Sequence, residues 1–172
     1  MEKIIKSLLF AIPIMLGCNH SETPMPVVNT LEAKRYMGTW YEIARLPNSF
    51  EEGLNNITAT YTLRDDGKIT VLNKGIKTDG TTSQAQGIAY IPNINEPAKL
   101  KVSFFRPFYG KYWVIDLDTS YQYTVVSHPN REYLWILCRT PRMSQVIYDS
   151  LIKKTAALGF DTTALVVVNH NL

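Results

Sequence analysis

The sequence predicts an all-β fold: an eight-stranded antiparallel up-and-down β-barrel with one C-terminal α-helix packed outside. Three observations carry this expectation. Alternating or β-rich segments recur from Trp40 to Arg139. Turn signals separate them at short intervals. One segment of helical periodicity follows them, near the C-terminus. Closing such a meander removes the sheet edges, and eight strands leave an interior able to hold a small ligand. A two-sheet sandwich is the alternative architecture, but it usually needs longer crossing connections than the sequence offers.

Trp40–Arg45 reads as the first strand and Leu46–Asn55 as a long loop. Ile57–Arg64 and Lys68–Gly75 flank Asp65-Asp66-Gly67, a strong hairpin signal. Gly80 marks the next turn, Thr81–Ile91 the fourth strand and Pro92–Pro97 a loop. Lys99–Phe105, Lys111–Asp116, Tyr121–Ser127 and Tyr133–Arg139 complete eight strands, with no helix expected among them. The helix follows. Ser144 can cap its start and Gly159 can end it in a left-handed conformation. Ile147, Leu151 and Leu158 share one face, with Tyr148 and Ile152 beside them, so this helix should lie against a sheet. Leu165–Val168 reads as a last short strand.

Side chains alternate across a strand, which sorts residues into inside and outside. If Trp40 points in, so do Glu42 and Ala44. If Arg139 points in, so do Leu137, Trp135 and Tyr133. The smaller or more apolar faces elsewhere give Ile57, Ala59, Tyr61 and Leu63, then Ile69, Val71 and Asn73. Ala85, Gly87 and Ala89 follow, then Leu100, Val102 and Phe104. Tyr112, Val114 and Asp116 come next, and finally Thr124 and Val126. Three consecutive small residues on one face leave space that a filled core at normal density would not. That space can admit a ligand, or it can accommodate Phe104 and Trp135. Glu42, Asn73 and Asp116 are polar exceptions inside an apolar wall. Such groups are costly unless paired or hydrated, and they either orient a ligand or hold water. A rim of cations and aromatics is expected from Arg106, Phe108, Tyr109 and Lys111, joined by Phe50. It suits an amphiphile whose tail enters and whose anionic head stays outside.

In a meander, odd strands start and even strands end on one side. Trp40 starts strand one, Asp118 ends strand six and Arg139 ends strand eight, so all three should meet at one end. An arginine over an indole is worth ~0.5–2 kcal/mol and would close the barrel floor. Gly38-Thr39-Trp40 is a Gly-x-Trp motif opening the first strand. Together with Asp118 in a degenerate Thr-Asp-Tyr element and Arg139 at the end of strand eight, it resembles the three motifs of the lipocalin family. Gly38–Pro47, Ala59–Gly67, Lys99–Phe105 and Tyr133–Pro141 are similar to bacterial lipocalins and, more distantly, to apolipoprotein D. The resemblance implies a carrier rather than an enzyme. It also implies a fatty acid (palmitate, for instance) or a lysophospholipid as ligand, and transport or storage of lipid in the cell envelope.

The N-terminus supplies a location. Lys3 and Lys6, an apolar run Ser7–Leu16, Gly17 and Cys18 form a secretory signal whose end resembles a bacterial lipobox. The run is shorter than the ~20 residues that span a bilayer. Residues 1–17 are expected to be removed, Cys18 to receive lipid, residues 18–29 to act as a flexible tether and residues 30–172 to form the barrel domain. Asn19 is not the aspartate that favours inner-membrane retention in enteric bacteria, so the outer membrane is expected, with the face left open.

The remaining composition narrows the field. Net charge is +3, about +2 once the signal is removed, with Lys and Arg scattered, so nucleic acid is not an expected partner. A homodimer is left open. His20, His128 and His170 lack metal-ligand spacing, and no nucleophile elbow, phosphate loop or dinucleotide fingerprint occurs, so no metal, cofactor or catalytic set is expected. Cys138 alternates outward, under the helix, where it serves as a small hydrophobe. Two other classes stay open at this point. One is a lipid-modifying enzyme using Glu42 or Asp116, and the other a structural lipoprotein whose barrel is filled.

Overall fold

The computed structural model describes residues 24–171. Cys18 and the expected signal segment lie outside the described residues. Eight strands form the barrel: β1 Gly38–Arg45, β2 Leu54–Leu63, β3 Ile69–Lys77, β4 Thr82–Tyr90, β5 Lys99–Phe105, β6 Phe108–Leu117, β7 Tyr123–Ser127 and β8 Leu134–Cys138. Each pairs antiparallel with the next, and β1 pairs with both β2 and β8, which closes the ring. The helix expected near the C-terminus is α2, Gln145–Ala157; a four-residue helix that the sequence reading missed, α1 (Ala33–Tyr36), precedes β1. Ser144 Oγ accepts the Ile147 N–H, and Gly159 follows α2 at φ +87°, as the capping pattern required.

Two apolar clusters sit on opposite sides of the sheet. The inner one joins Trp40, Tyr61, Ile69, Val71, Ala89, Leu100, Val114, Val126 and Leu137. The outer one joins Ile43, Ala44, Ile115, Val125, Ile136 and Cys138 to Leu151 of α2. Cys138 is therefore buried under the helix, its Sγ 3.4 Å from Thr140 Oγ1.

The ladders shift register at four places, and two of these β-bulges, in β1 and β6, change which way a residue expected inside faces. In β1 the register slips between Glu42 and Ala44. Ala44, expected inside, joins the outer cluster, and Arg45 turns in. In β6 the register slips between Val114 and Asp116. Asp116, also expected inside, faces α2, where its Oδ2 accepts a hydrogen bond from Lys154 Nζ at 2.7 Å.

Both ends of the described residues are bound to the barrel. Residues expected to belong to a free tether are already docked at Met25–Val28: Met25 and Val27 pack on the outer cluster, and the Val28 N–H donates to Val114 O at 3.0 Å. At the other end, β9 (Val166–Val167) pairs with Ala44 and Arg45 of β1. The Asn56 N–H then donates to Asn169 O, and His170 Nε2 lies 2.8 Å from Glu42 O. The C-terminal tail thus fills the seam that opens where β1 leaves β2.

Candidate functional site

One end of the barrel is plugged. The Arg139 guanidinium lies 3.8 Å from the centre of the Trp40 ring. It donates to the backbone oxygens of Thr39, Arg35 and Tyr121 at 3.0, 2.8 and 3.2 Å. Gly38 stands at φ +92°, and a Cβ there would come 3.3 Å from the guanidinium, so glycine serves both the backbone and the close approach. Asp118 sits at the same end and organises the turn before β7, accepting the Ser120 and Gln122 N–H groups on Oδ2. The trio does meet, with Asp118 linked to Arg139 through Tyr121 rather than directly.

Above the plug the interior is filled. Tyr36, supplied by α1, is fully buried, and its backbone oxygen accepts the Trp40 indole N–H at 2.9 Å. The hydroxyls of Tyr36, Tyr112 and Tyr61 form a chain with separations of 2.8 and 2.9 Å. Burial pushes all three phenols up, Tyr36 to about 12, so they remain neutral donors and acceptors. Val71, Ala89 and Val114 face inward as expected but belong to this packed half.

The other half is different. Ala59, Asn73, Gly87, Val102, Phe104, Tyr133 and Trp135 are only partly buried, and Ala85 is exposed. Register places Ala85 opposite Asn73 and Gly87 opposite Val71, on the inner face. Side chains that face inward in a closed barrel yet touch solvent line an open chamber. Phe104 claims part of it: a Cβ on Gly87 would lie 2.9 Å from the Phe104 ring and 2.7 Å from Ser103 O. Asn73 Oδ1 is buried without a hydrogen-bond partner, the kind of atom a ligand or water satisfies.

A charged cluster borders the chamber. Arg45 donates through Nη1 to Glu42 Oε1 at 2.9 Å and through Nη2 to Glu51 O at 2.7 Å. Its Nε lies 3.7 Å from Glu51 Oε2. The same Glu51 oxygen accepts the Trp135 indole N–H at 3.0 Å and the Asn48 amide at 2.6 Å. One guanidinium therefore serves two buried carboxyl groups. Burial first, and the adjacent Glu51 second, push Glu42 up to about 8 against the pull of Arg45. A protonated Glu42 still offers Oε1 to Arg45 and removes the surplus negative charge. Sequence reasoning missed Arg45, which alternation sends outward, and Glu51, which lay in an expected loop. The residue-type signal was present nonetheless: a carboxylate on an inner face calls for a cation within a turn or two of chain.

This cluster holds the β1–β2 loop over the chamber mouth. Phe50 stacks on Tyr133 with ring centres 5.7 Å apart and planes at 28°, and Tyr133 stacks on Trp135 at 5.7 Å and 5°. The outer edge of this aromatic stack, Phe50, is 60% exposed. The other rim residues distribute differently from expectation. Phe108 and Tyr109 belong to β6 rather than to a loop, and Arg106 is exposed at the hairpin tip. Lys111 pairs opposite Lys101 on the outer wall, with its Nζ 6.0 Å from the Trp113 ring centre. Lys111 therefore flanks the mouth rather than lining it. A groove of about 320 Å³ also lies outside the barrel, under α2, bordered by Pro26, Ile115, Asp116 and Lys154. It is separate from the chamber. Among the described residues no cluster of His, Cys, Asp and Glu is suited to a metal ion.

Comparison with known proteins agrees with this architecture. The family model for a lipocalin-like domain matches residues 31–170. The chain is 46% identical over 160 residues to the outer membrane lipoprotein Blc of Escherichia coli strain K12, covering 91% of this chain and 90% of that protein. It is 38% identical over 158 residues to apolipoprotein D of Macaca fascicularis, covering 86% and 82%. Among solved structures, insecticyanin from the tobacco hornworm aligns with a TM-score of 0.71 at 20% identity, over 87% of this chain and 86% of that one. That last likeness establishes the fold.

Proposed function

Because the chain belongs to the lipocalin family, we propose that it is an outer-membrane lipoprotein whose barrel binds one hydrophobic chain of an amphiphile, a fatty acid or a lysophospholipid. It carries or stores that lipid in the bacterial envelope, held to the membrane through Cys18. The single observation that supports this reading is the half-filled interior: below the tyrosine chain the barrel is packed, and above it the inward side chains retain accessible surface. The resemblance to outer membrane lipoproteins supports the location.

The energetics follow from the wall. An acyl chain leaving water gains ~0.8 kcal/mol per methylene, about 12 kcal/mol gross for sixteen carbons if the whole chain were covered. Ordering of the chain and competition from the bilayer remove much of that. The net preference is small enough for exchange with a nearby membrane. The head group stays at the mouth, beside Phe50 and Tyr133. Asn73 Oδ1 and the protonated Glu42 give the wall two polar points against which a ligand or its water can be oriented.

Trp135 reports the test. Its ring is stacked on Tyr133 and its N–H is bound to Glu51, so a lipid entering the chamber must change its emission. Delipidated protein titrated with monomeric lysophospholipid should give a saturable fluorescence change that Trp135→Phe abolishes. A wild-type protein whose emission does not respond, and which extracts no lipid by native mass spectrometry, would refute the reading.

A further inference from the structure

We infer that the tip of the β5–β6 hairpin is a membrane-docking finger, whose Phe105 and Phe108 enter a phospholipid leaflet and hold the barrel mouth against it. The two phenylalanines are 82% and 77% exposed and belong to neither apolar cluster. They are cross-strand partners, so they stand side by side on a projecting ribbon. A lone exposed apolar residue is ordinary, but a paired phenylalanine tip signals a partner surface.

The surrounding chemistry specifies that partner. Arg106 is exposed in the turn that joins the two phenylalanines. On the outer wall just below, Lys101 and Lys111 face each other directly. Like charges opposite each other weaken a sheet, and neither lysine, nor Arg106, has an ion pair among the described residues. Their natural counter-charges are therefore outside the protein. The same wall carries Tyr90 and Tyr109 in edge contact at 5.4 Å, with Tyr109 41% exposed. An apolar tip, Tyr109 next to it and the two facing lysines beyond follow the order of layers in a phospholipid leaflet: acyl boundary, interface and anionic phosphate. The acids at this end do not oppose that match. Asp79 is turned back onto Thr81 N and Oγ1, and Glu132 accepts from Asn130. Glu52 is exposed on the far side of the mouth, in the β1–β2 loop.

The position gives the finger a use. β5 ends and β6 begins at the open end of the barrel, where Phe50 and Ile76 are also exposed. Docking there shortens the path of a lipid between leaflet and chamber; this use rests on the carrier reading above, while the docking itself does not.

The test places an indole at the tip. Phe108→Trp in the full chain is compared with Ile94→Trp, at the opposite end of the barrel and itself 80% exposed. Vesicles of phosphatidylethanolamine and phosphatidylglycerol carry brominated acyl chains, and the wild-type signal is subtracted to remove Trp40, Trp113 and Trp135. The indole at position 108 should be quenched several-fold more than the one at 94 and shift to the blue. Equal quenching at the two positions would overturn the inference. Phe105→Ser with Phe108→Ser should slow delivery of a fluorescent fatty acid to the same vesicles about tenfold; an unchanged delivery rate would overturn the use in lipid transfer, whereas equal quenching overturns the docking itself. Quenching needs no ligand in the chamber, so failure of the carrier reading and failure of docking are separate results.

Discussion

Replacing Glu42 by Gln isolates a carboxyl that the fold holds far above its ordinary range. The carboxyl titrates near 4.5 in an unfolded chain and at about 8 in the barrel, because burial and Glu51 oppose its charge more than Arg45 favours it. Between those values the folded state holds a proton that the unfolded state has lost. Stability from this group is therefore complete below about pH 4.5 and declines as pH rises to about 8, above which it is level. The slope approaches about 1.4 kcal/mol per pH unit, and from pH 5 to pH 8 the loss is about 3 kcal/mol. Gln carries the same shape without the proton, and its amide oxygen can accept from Arg45. Urea unfolding of wild type and Glu42→Gln at pH 5, 6, 7 and 8 reads the effect directly, since titrating groups that do not interact with Glu42 cancel in the difference. The Gln variant should gain on the wild type steadily with pH, by about 3 kcal/mol over that range. Parallel curves would refute the protonated Glu42 and with it the charge balance of the cluster.

Three further outcomes follow from the geometry. Arg139→Ala removes the cation over Trp40 and the donors to three backbone oxygens, and should lower stability by about 2–4 kcal/mol in urea, with Arg139→Lys recovering only part because an ammonium lacks the fork. Gly87→Ala puts a methyl group 2.7 Å from a carbonyl oxygen and 2.9 Å from the Phe104 ring, so calorimetry should show a loss of about 1–3 kcal/mol even though glycine is normally the poorer strand residue. Lys154→Ala breaks the pair with Asp116 on the solvent side of α2, where the lysine is 56% exposed, and should cost less than about 1 kcal/mol with lipid binding intact.

The fold was legible because its signals are local. Asp65-Asp66-Gly67 fixed one hairpin, Ser144 and Gly159 bounded the helix, and the meander brought Trp40 and Arg139 to one end by parity alone. The floor of the site was legible for the same reason. The chamber was legible only in part. Ala85, Gly87 and Ala89 marked a wall of small residues, yet Gly87 is small because Phe104 lies on it. The three polar residues read as inward were separated by events that period-two reasoning does not contain. Glu42 stayed in, and Asn73 stayed in with an unpartnered oxygen, whereas Asp116 was carried out to Lys154 by one extra residue in β6. α1 escaped because four residues give no periodicity to detect, although its Tyr36 heads the hydroxyl chain.

The two bulges are what turn a filled barrel into a site. Without the slip in β1, Ala44 would face in and Arg45 would face out, leaving Glu42 as a lone carboxyl in an apolar wall, a costly arrangement. With the slip, Arg45 comes inside, pairs with Glu42 and reaches Glu51, which draws the β1–β2 loop over the mouth and seats Phe50 against Tyr133. Without the slip in β6, Asp116 would bring a further carboxyl into the interior with no cation to meet it. With the slip, it meets Lys154 outside, and Ile115 joins the helix-side cluster. Both bulges thus act on the same quantity, the number of uncompensated charges inside the barrel, and together they leave a chamber whose polar content is one balanced cluster at its border and one free oxygen on its wall.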